Sequence, residues 1–422
     1  MTSLDAGSGV AEAAAASAPE PGLIRRNAFL LAAGLVCQSG MIQLAVALGT
    51  VTIVAVTGVK SILGLGPAVF LIAGALAVGP AGRASDRFGR MPVIRTGFVL
   101  GIAGPCITAL GCAVVSPALV FLGLGTCGAA QSIVLLSRAA AAEMFPPERR
   151  ARGMSIVLFG VVSGAIWGPL VFGPMFSHRA LTPDQLVRPW LFAGVFTVAG
   201  LLISFGVRPD PKTISARYGT ADVDATKARL REIVRRPGVP TAMIAAVSSF
   251  AVMTGVMNLA GYVAVGHGHH EGDVFTIISL HIVGMYGLIL FIGDIVERIG
   301  RRTSMVAGLT LMAVSNAALV WLHSIAGMSL SLFGLGLGWS LSYVAASTEL
   351  IGLAAPSERG RLVGTTDMLS AFTGAALALA GGVVYTRAGN AALALPSAGR
   401  ALLPAAWLLG SAAGPAPAVE TG

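Results

Sequence analysis

Apolar residues fall in long, nearly unbroken runs along this chain, and polar residues are gathered between them. Runs at 28–56, 62–81, 92–113, 116–145, 152–176 and 189–207 are separated by short polar stretches. After a longer polar stretch the same rhythm returns at 241–265, 274–294, 303–323, 326–354 and 362–386. At ~1.5 Å of rise per residue, about twenty residues cross the ~30 Å hydrocarbon layer of a bilayer, so each run predicts a membrane-spanning helix. A twelfth span is predicted near 389–413, where Pro396, Arg400 and Pro404 interrupt it. Barrel strands do not fit, because they are about ten residues long and alternate in polarity.

Composition agrees. The 422 residues are 55% apolar and only 11% charged, with a mean hydropathy of +0.81. A soluble domain carries about a quarter charged residues, so this chain cannot cover itself with a wetted surface. The net charge of +9 would suit nucleic acid, but its distribution argues against that partner. Arg and Lys crowd into 83–95, 149–152, 208–236, 298–302 and 359–361, while the alternate loops hold Lys60, Arg179, Arg188 and Arg387. By the bias of cytoplasmic loops toward positive charge, the N-terminus and the central stretch are expected in the cytoplasm of a multi-pass protein of the cell membrane.

The expected organisation is a disordered tail at 1–24, a six-span half at 25–207, a linker at 208–240, a second half at 241–413 and a tail at 414–422. Residues 1–24 lack the basic start and apolar core of a cleaved signal. Within the linker, Asp224–Arg236 sets Leu230, Ile233 and Val234 apart from five basic residues. It reads either as a basic helix on an anionic membrane surface or as a solvated linker helix. Cys37, Cys106, Cys112 and Cys127 all lie inside apolar runs and read as small core residues. The run His267-Gly268-His269-His270-Glu271-Gly272-Asp273 has no rigid ligand spacing and reads as a solvated loop on the outer side. No metal or cofactor is predicted.

One polar stretch recurs. Gly82-Arg83-Ala84-Ser85-Asp86-Arg87-Phe88-Gly89-Arg90 is matched 211 residues later by Gly293-Asp294-Ile295-Val296-Glu297-Arg298-Ile299-Gly300-Arg301. Both glycines, the acid and both arginines correspond. An offset of half the chain is the mark of a two-fold internal repeat. Phe145-Pro146-Pro147-Glu148-Arg149 has a similar echo in Pro356-Ser357-Glu358-Arg359-Gly360-Arg361. These doubled motifs resemble those of the major facilitator superfamily, which are secondary transporters. The resemblance covers roughly residues 24–390. It implies an all-α membrane protein of two six-helix halves, related by a pseudo-two-fold axis along the membrane normal around a central cavity, and usually monomeric.

The resemblance also implies roles. Gly82, Asp86, Arg87, Gly89 and Arg90, with Glu143 and the second copy Glu297, Arg298, Gly300 and Arg301, would form a latch that closes the cytoplasmic side. In it Asp86 would dock on span eleven, and glycines would make a sharp turn. The Gly/Pro series Gly160, Gly164, Gly168, Pro169 and Gly173 is similar to the span-five pattern of exporters in this superfamily. The arginine that proton antiporters tend to carry early in span four is replaced here by Gly123.

Ionisable groups within a span are expensive and are functional candidates. Gln131 and Arg138 are seven residues apart, on one helical face, and the repeat places Ser342 and Glu349 at the matching positions. Arg138 and Glu349 are therefore expected to pair as a cytoplasmic gate; the alternative is that each snorkels to the headgroups. Asp367, Glu349 and His281 are the proton-coupling candidates, since a carboxyl or imidazole in low dielectric can exchange a proton. Asp367 could instead be a cap or latch residue, and His281 a helix–helix hydrogen bond. Cavity spans one, four, seven and ten offer Gln38, Gln43, Thr254, Asn258, Trp339 and Tyr343 as substrate contacts, or as polar glue between helices.

Together these readings predict a secondary transporter of a small organic molecule, exporting it in exchange for protons by alternating access. A membrane enzyme is disfavoured, because no span or loop shows a nucleophile–base set or a phosphate loop. The alternative is an importer or uniporter of a small metabolite on the same fold, and a non-transporting membrane sensor or scaffold is the second.

Overall fold

A computed structural model describes residues 20–146, 149–176, 182–216 and 229–410; within helices the side chains of several residues, Asn258 among them, are left aside. The described residues are helical, with no strand among them. The helices are α1 (Pro21–Thr57), α2 (Leu65–Phe88), α3 (Arg90–Ala113), α4 (Pro117–Val134), α5 (Ser137–Met144), α6 (Arg150–Phe159), α7 (Gly164–Trp167), α8 (Gly173–Phe176) and α9 (Pro183–Ser204). Then come α10 (Pro211–Ser215), α11 (Leu230–Val234), α12 (Val239–Gly266), α13 (Glu271–Ile282), α14 (Ile289–Ile299), α15 (Arg301–Ala318), α16 (Ile325–Leu353) and α17 (Pro356–Gly410).

The first nine helices pack into an N-terminal bundle, in which α3 lies against α4 and α9. A C-terminal bundle repeats the scheme, with α15 lying against α16 and α17. Leu76, Val99, Leu110, Leu122, Leu202, Val314 and Leu330 are each more than half exposed on the outside of the bundles. Water would not tolerate that belt, but hydrocarbon is its natural solvent.

Among the described residues, eight helices are long and apolar enough to span a bilayer, nine if the bent pair Gly272–Gly287 and Phe291–Ile299 counts as one. The twelve predicted spans differ from these for local reasons. Span five is broken: a 3-10 turn at Gly160–Ser163 and a π turn at Gly168–Phe172 divide it. Pro169 brings no N–H to the helical ladder, which favours such a break. Span nine, α15, opens on Arg301, Arg302, Thr303 and Ser304 and is too polar to qualify by composition. The helical segment α17 contains predicted span eleven and residues 389–410 of predicted span twelve, whose last residues lie outside the described ones. Glu358 near its start pairs with Arg236, Ala378 packs at Gly64 beyond α1, and the Leu408 carbonyl accepts from Arg302. Its two ends thus lie on one face and its middle on the other.

Other boundaries also move. Helix α1 starts at Pro21, a favoured first helical residue, so residues 21–24 of the predicted tail belong to the helix, together with Arg25 and Arg26. Helix α9 starts at Pro183, six residues ahead of the predicted Pro189. While α10 lies earlier in the linker, Leu230–Val234 is the described helical part of the predicted linker helix 224–236. Its Ile233 is buried with Val239, Ala242 and Leu350, so this turn packs its apolar side on the C-terminal bundle. The start of that predicted helix, and both tails except residues 20–24, fall outside the described residues.

Both copies of the repeated motif occupy one face. Arg90 of the first copy reaches Glu143 at the end of α5, and α14, which carries the second copy, packs against α6 just after it. On the opposite face the bundles meet backbone to backbone: a Cβ on Gly64 would overlap the Ala378 carbonyl oxygen. There too the rings of Phe172 and Phe275 stack, with centroids 5.7 Å apart.

Candidate functional site between the bundles

The motif itself is mostly helix. Gly82 continues α2 with open space around it, and the chain turns only at Gly89, where φ is +101°. Gly300 does the same in the second copy at +87°. A side chain at either place would be strained, which explains these glycines but not Gly82. The turn delivers Arg90 to Glu143: Nε and Nη2 each donate over 2.8 Å, a bidentate fork. Nη1 donates to Asp86 at 2.7 Å. Asp86 is 72% exposed, its ion-pair partner Arg90 lies on the same bundle, and it is not docked on span eleven. Arg87 lies over the ring of Phe88, while Glu297 and Arg298 are exposed.

In the C-terminal bundle Arg301 donates to Glu349 at 2.9 Å. This corrects the expected Arg138–Glu349 gate. The position equivalent to Glu143 holds Ala354, so Arg301 takes the carboxylate one turn further up α16. Arg138 reaches Asp367 instead, at 3.6 Å. The chain between α4 and α5 explains the change: helical regularity lapses at Leu135-Leu136, and Arg138 donates its N–H to the Leu135 carbonyl. The lapse breaks the register that had put Gln131 and Arg138 on one face. Five ion pairs form between described residues, and Arg138–Asp367 is the one that joins the two bundles.

Asp367 has a second partner, the hydroxyl of Tyr343, which donates to it. Tyr343 and Trp339 are one turn apart on α16, and their rings stack at 5.1 Å with 16° between planes. Tyr286, in the π turn Val283–Gly287, meets Trp339 edge-on at 5.8 Å, and Phe250 of α12 stands 6.2 Å from Tyr343. Trp339 Nε1 and Gln131 Oε1 are buried without a hydrogen-bond partner among the described residues. Such groups cost ~1–3 kcal/mol each unless something else satisfies them. The arrangement is an aromatic wall with a charged pair at its edge and free polar atoms.

The other candidates are placed as follows. Gln43 Nε2 donates to Ser279 Oγ at 3.3 Å, a link between bundles. Gln38 does not line the interface as expected: its Oε1 lies beside Gly101 and Thr197, inside the N-terminal bundle, because that face of α1 meets α3 and α9. Thr254 bonds the Phe250 carbonyl and lies near Gly374 of α17. Asn258 lies on α12, with its side chain outside the described residues. His281 is fully buried within the C-terminal bundle, where Nδ1 meets the Leu332 carbonyl at 2.6 Å, so it links two helices, and its Nε2 is buried without a hydrogen-bond partner among the described residues. In span five, Gly160 backs onto Ala32 of α1, and Trp167 and Ser163 bond Val36 and Ser39. Gly164, Gly168, Pro169 and Gly173 all sit at its helix-type junctions.

Two features escaped sequence reasoning. Tyr286 is one aromatic in an apolar run, and nothing marked it. Asp210 was legible, since Asp followed by Pro is a helix start. Its carboxylate caps α10 and also accepts the N–H groups of Arg90 and Met91 at the head of α3.

A family model described as Major Facilitator Superfamily matches residues 28–379. The chain belongs to that superfamily. It is a multi-pass membrane transporter and not an enzyme. Among curated relatives, the "Uncharacterized MFS-type transporter YddS" of Bacillus subtilis (strain 168) is 29% identical over 82% of this chain and 81% of its own. The "Riboflavin transporter RfnT" of Brucella anthropi is 28% identical over 82% and 85%. Solved structures with the same fold include a mutant form of the nucleoside transporter NupG, with a TM-score of 0.71 at 13% identity over 92% of this chain and 99% of that one. A partially occluded inward-open form of the E. coli xylose transporter XylE gives a TM-score of 0.66 at 14% identity, over 92% and 95%. This superfamily transporter thus shares its fold with carriers whose substrates differ, and the substrate has to be argued from the site.

Proposed function

We propose that this chain is a proton-coupled exporter of a planar heteroaromatic compound, acting as a monomer. Its halves, 25–207 and 241–413, rock about the interface and expose the aromatic wall to each side in turn. The motif face is the cytoplasmic one, by its charge. The Arg138–Asp367 pair carries this reading. Unit charges ~4 Å apart attract by about 4 kcal/mol at an effective dielectric near 20, and partial exposure reduces that. A remainder of one or two kcal/mol is the scale on which two-state equilibria are biased.

Asp367 then acts as the proton carrier. Ionised, it clamps the bundles together on the motif face through Arg138. Protonated, it loses that attraction while Tyr343 holds its position, and the face can open. Export is favoured by the Gly/Pro series of span five. The flat wall of Trp339 and Tyr343, with Trp339 Nε1 as a free donor, suits a planar ring system with acceptors at its edge. The relative named as a riboflavin transporter supports that class.

The test is flavin flux in proteoliposomes under an imposed pH gradient. Wild-type protein should move riboflavin against its concentration in a gradient-dependent way. Asp367→Asn should keep flavin exchange between equal pools and lose gradient-driven accumulation. Wild-type flux that ignores the gradient would overturn the coupling.

A further inference from the structure

A second charged feature lies away from the interface, at the motif-face ends of α3 and α9. Arg87, Arg95, Arg208 and Lys212 line a cleft of about 710 Å³ that also includes Phe88 and Asp210. Pockets of roughly 300–1,000 Å³ are the size that holds small ligands. Asp210 is the cleft's one acid, and its two oxygens are already taken by the N–H groups of Arg90, Met91 and Lys212 at 3.1, 2.8 and 2.9 Å. Its single negative charge acts on Arg95 and offsets only part of the four positive charges.

Two of the cations are engaged within the chain, Lys212 Nζ donating to the Asp86 carbonyl and Arg87 lying over the Phe88 ring, while Arg95 and Arg208 are less satisfied. Arg95 is stacked on Phe205 at 4.6 Å and donates Nη2 to the Ser204 carbonyl, which fixes its guanidinium. Its Nε is buried without a hydrogen-bond partner. Arg208 is exposed and within Coulombic range of Arg95, so two like charges are held together. An anion between them would relieve that repulsion and occupy the idle donor. The flank is apolar: Phe88, Val99, Leu202 and Phe205 are all largely exposed, on the side of the bundle that meets hydrocarbon. We propose that this cleft binds the phosphodiester headgroup of an anionic phospholipid, with the acyl chains lying along α3 and α9. A free phosphate could use the same cations, but it would leave the apolar flank bare.

The test uses the full-length protein in a zwitterionic detergent. Short-chain phosphatidylglycerol, phosphatidylcholine and inorganic phosphate are titrated separately while thermal unfolding is followed, and retained lipid is counted by native mass spectrometry. Phosphatidylglycerol should raise the unfolding temperature and remain bound, while the other two should not. Removing one cation should weaken phosphatidylglycerol roughly fivefold, the effect of one basic group near a membrane surface. Arg208→Gln tests this at an exposed position, Lys212→Gln removes a cation together with its bond to the Asp86 carbonyl, and Arg95→Gln tests the idle donor. Equal effects of the two lipids would overturn the site. So would unchanged retention in the Arg208→Gln, Lys212→Gln double variant. Inorganic phosphate matching phosphatidylglycerol would overturn the lipid assignment.

Discussion

The backbone of Gly64 rests directly on the carbonyl of Ala378, so the two bundles touch there with no side chain between them. Gly64→Ala would put a methyl group into that oxygen, and the far end of the interface could not seal. Overpacking of this kind costs ~1–3 kcal/mol, which a two-state protein can avoid by parting its bundles. The expected result is faster thiol labelling of a Leu63→Cys probe, a position buried beside this contact, in a cysteine-free background, with flavin flux reduced at least tenfold. Unchanged labelling would show that this contact does not report on closure.

Charge exchange separates the two pairings of Arg138. Arg138→Asp and Asp367→Arg should each abolish flux, and the double exchange should recover a measurable part of it. The exchange of Arg138 with Glu349 should recover nothing, because Glu349 belongs to Arg301. Initial rates in proteoliposomes decide between them.

The two clasps of the repeated motif should differ in strength. Glu143→Gln removes half of a bidentate bond from a guanidinium only 21% exposed, and should lower unfolding stability by about 1–3 kcal/mol. Glu349→Gln removes a single bond from a guanidinium 46% exposed, and should cost about 0–1 kcal/mol. Unfolding temperatures of the two variants give the order directly.

Acid should act through Glu358. Arg236, with two hydrogen bonds of 2.6 and 2.9 Å, and the Ala355 N–H hold its carboxyl below the usual carboxylate range. A depressed folded value means the stabilisation is complete above the unfolded pKa of about 4.3 and is lost as pH falls through the folded one. Unfolding temperature should therefore drop on acidification below about pH 4. In Glu358→Gln it should start lower at neutral pH and fall less steeply.

Much of the scaffold was legible because hydrocarbon is an exacting solvent: apolar runs of the right length have few alternatives. The repeat was legible too, since Gly89 and Gly300 must both adopt positive φ, and identical geometry keeps identical residues. Side-chain partnerships were less so. Ser342 and Glu349 matched Gln131 and Arg138 by count, but two irregular residues at Leu135-Leu136 turned Arg138 toward α17, and counting assumes an unbroken helix. Gln38 failed for a related reason. One side of α1 faces the partner bundle and the other faces α3, and both are apolar enough to look alike. The role of Tyr286 depends on a π turn, which has no strong sequence signature.

The aromatic wall is lopsided. Tyr286, Trp339, Tyr343 and Asp367 all come from the later half of a duplicated gene product, and the earlier half offers Arg138 and a few amides. Duplication made the halves alike in architecture and left them free to diverge in duty: one could become a selector and the other a lever. New specificities can then be acquired by altering one copy, with the machinery of motion inherited intact from the other.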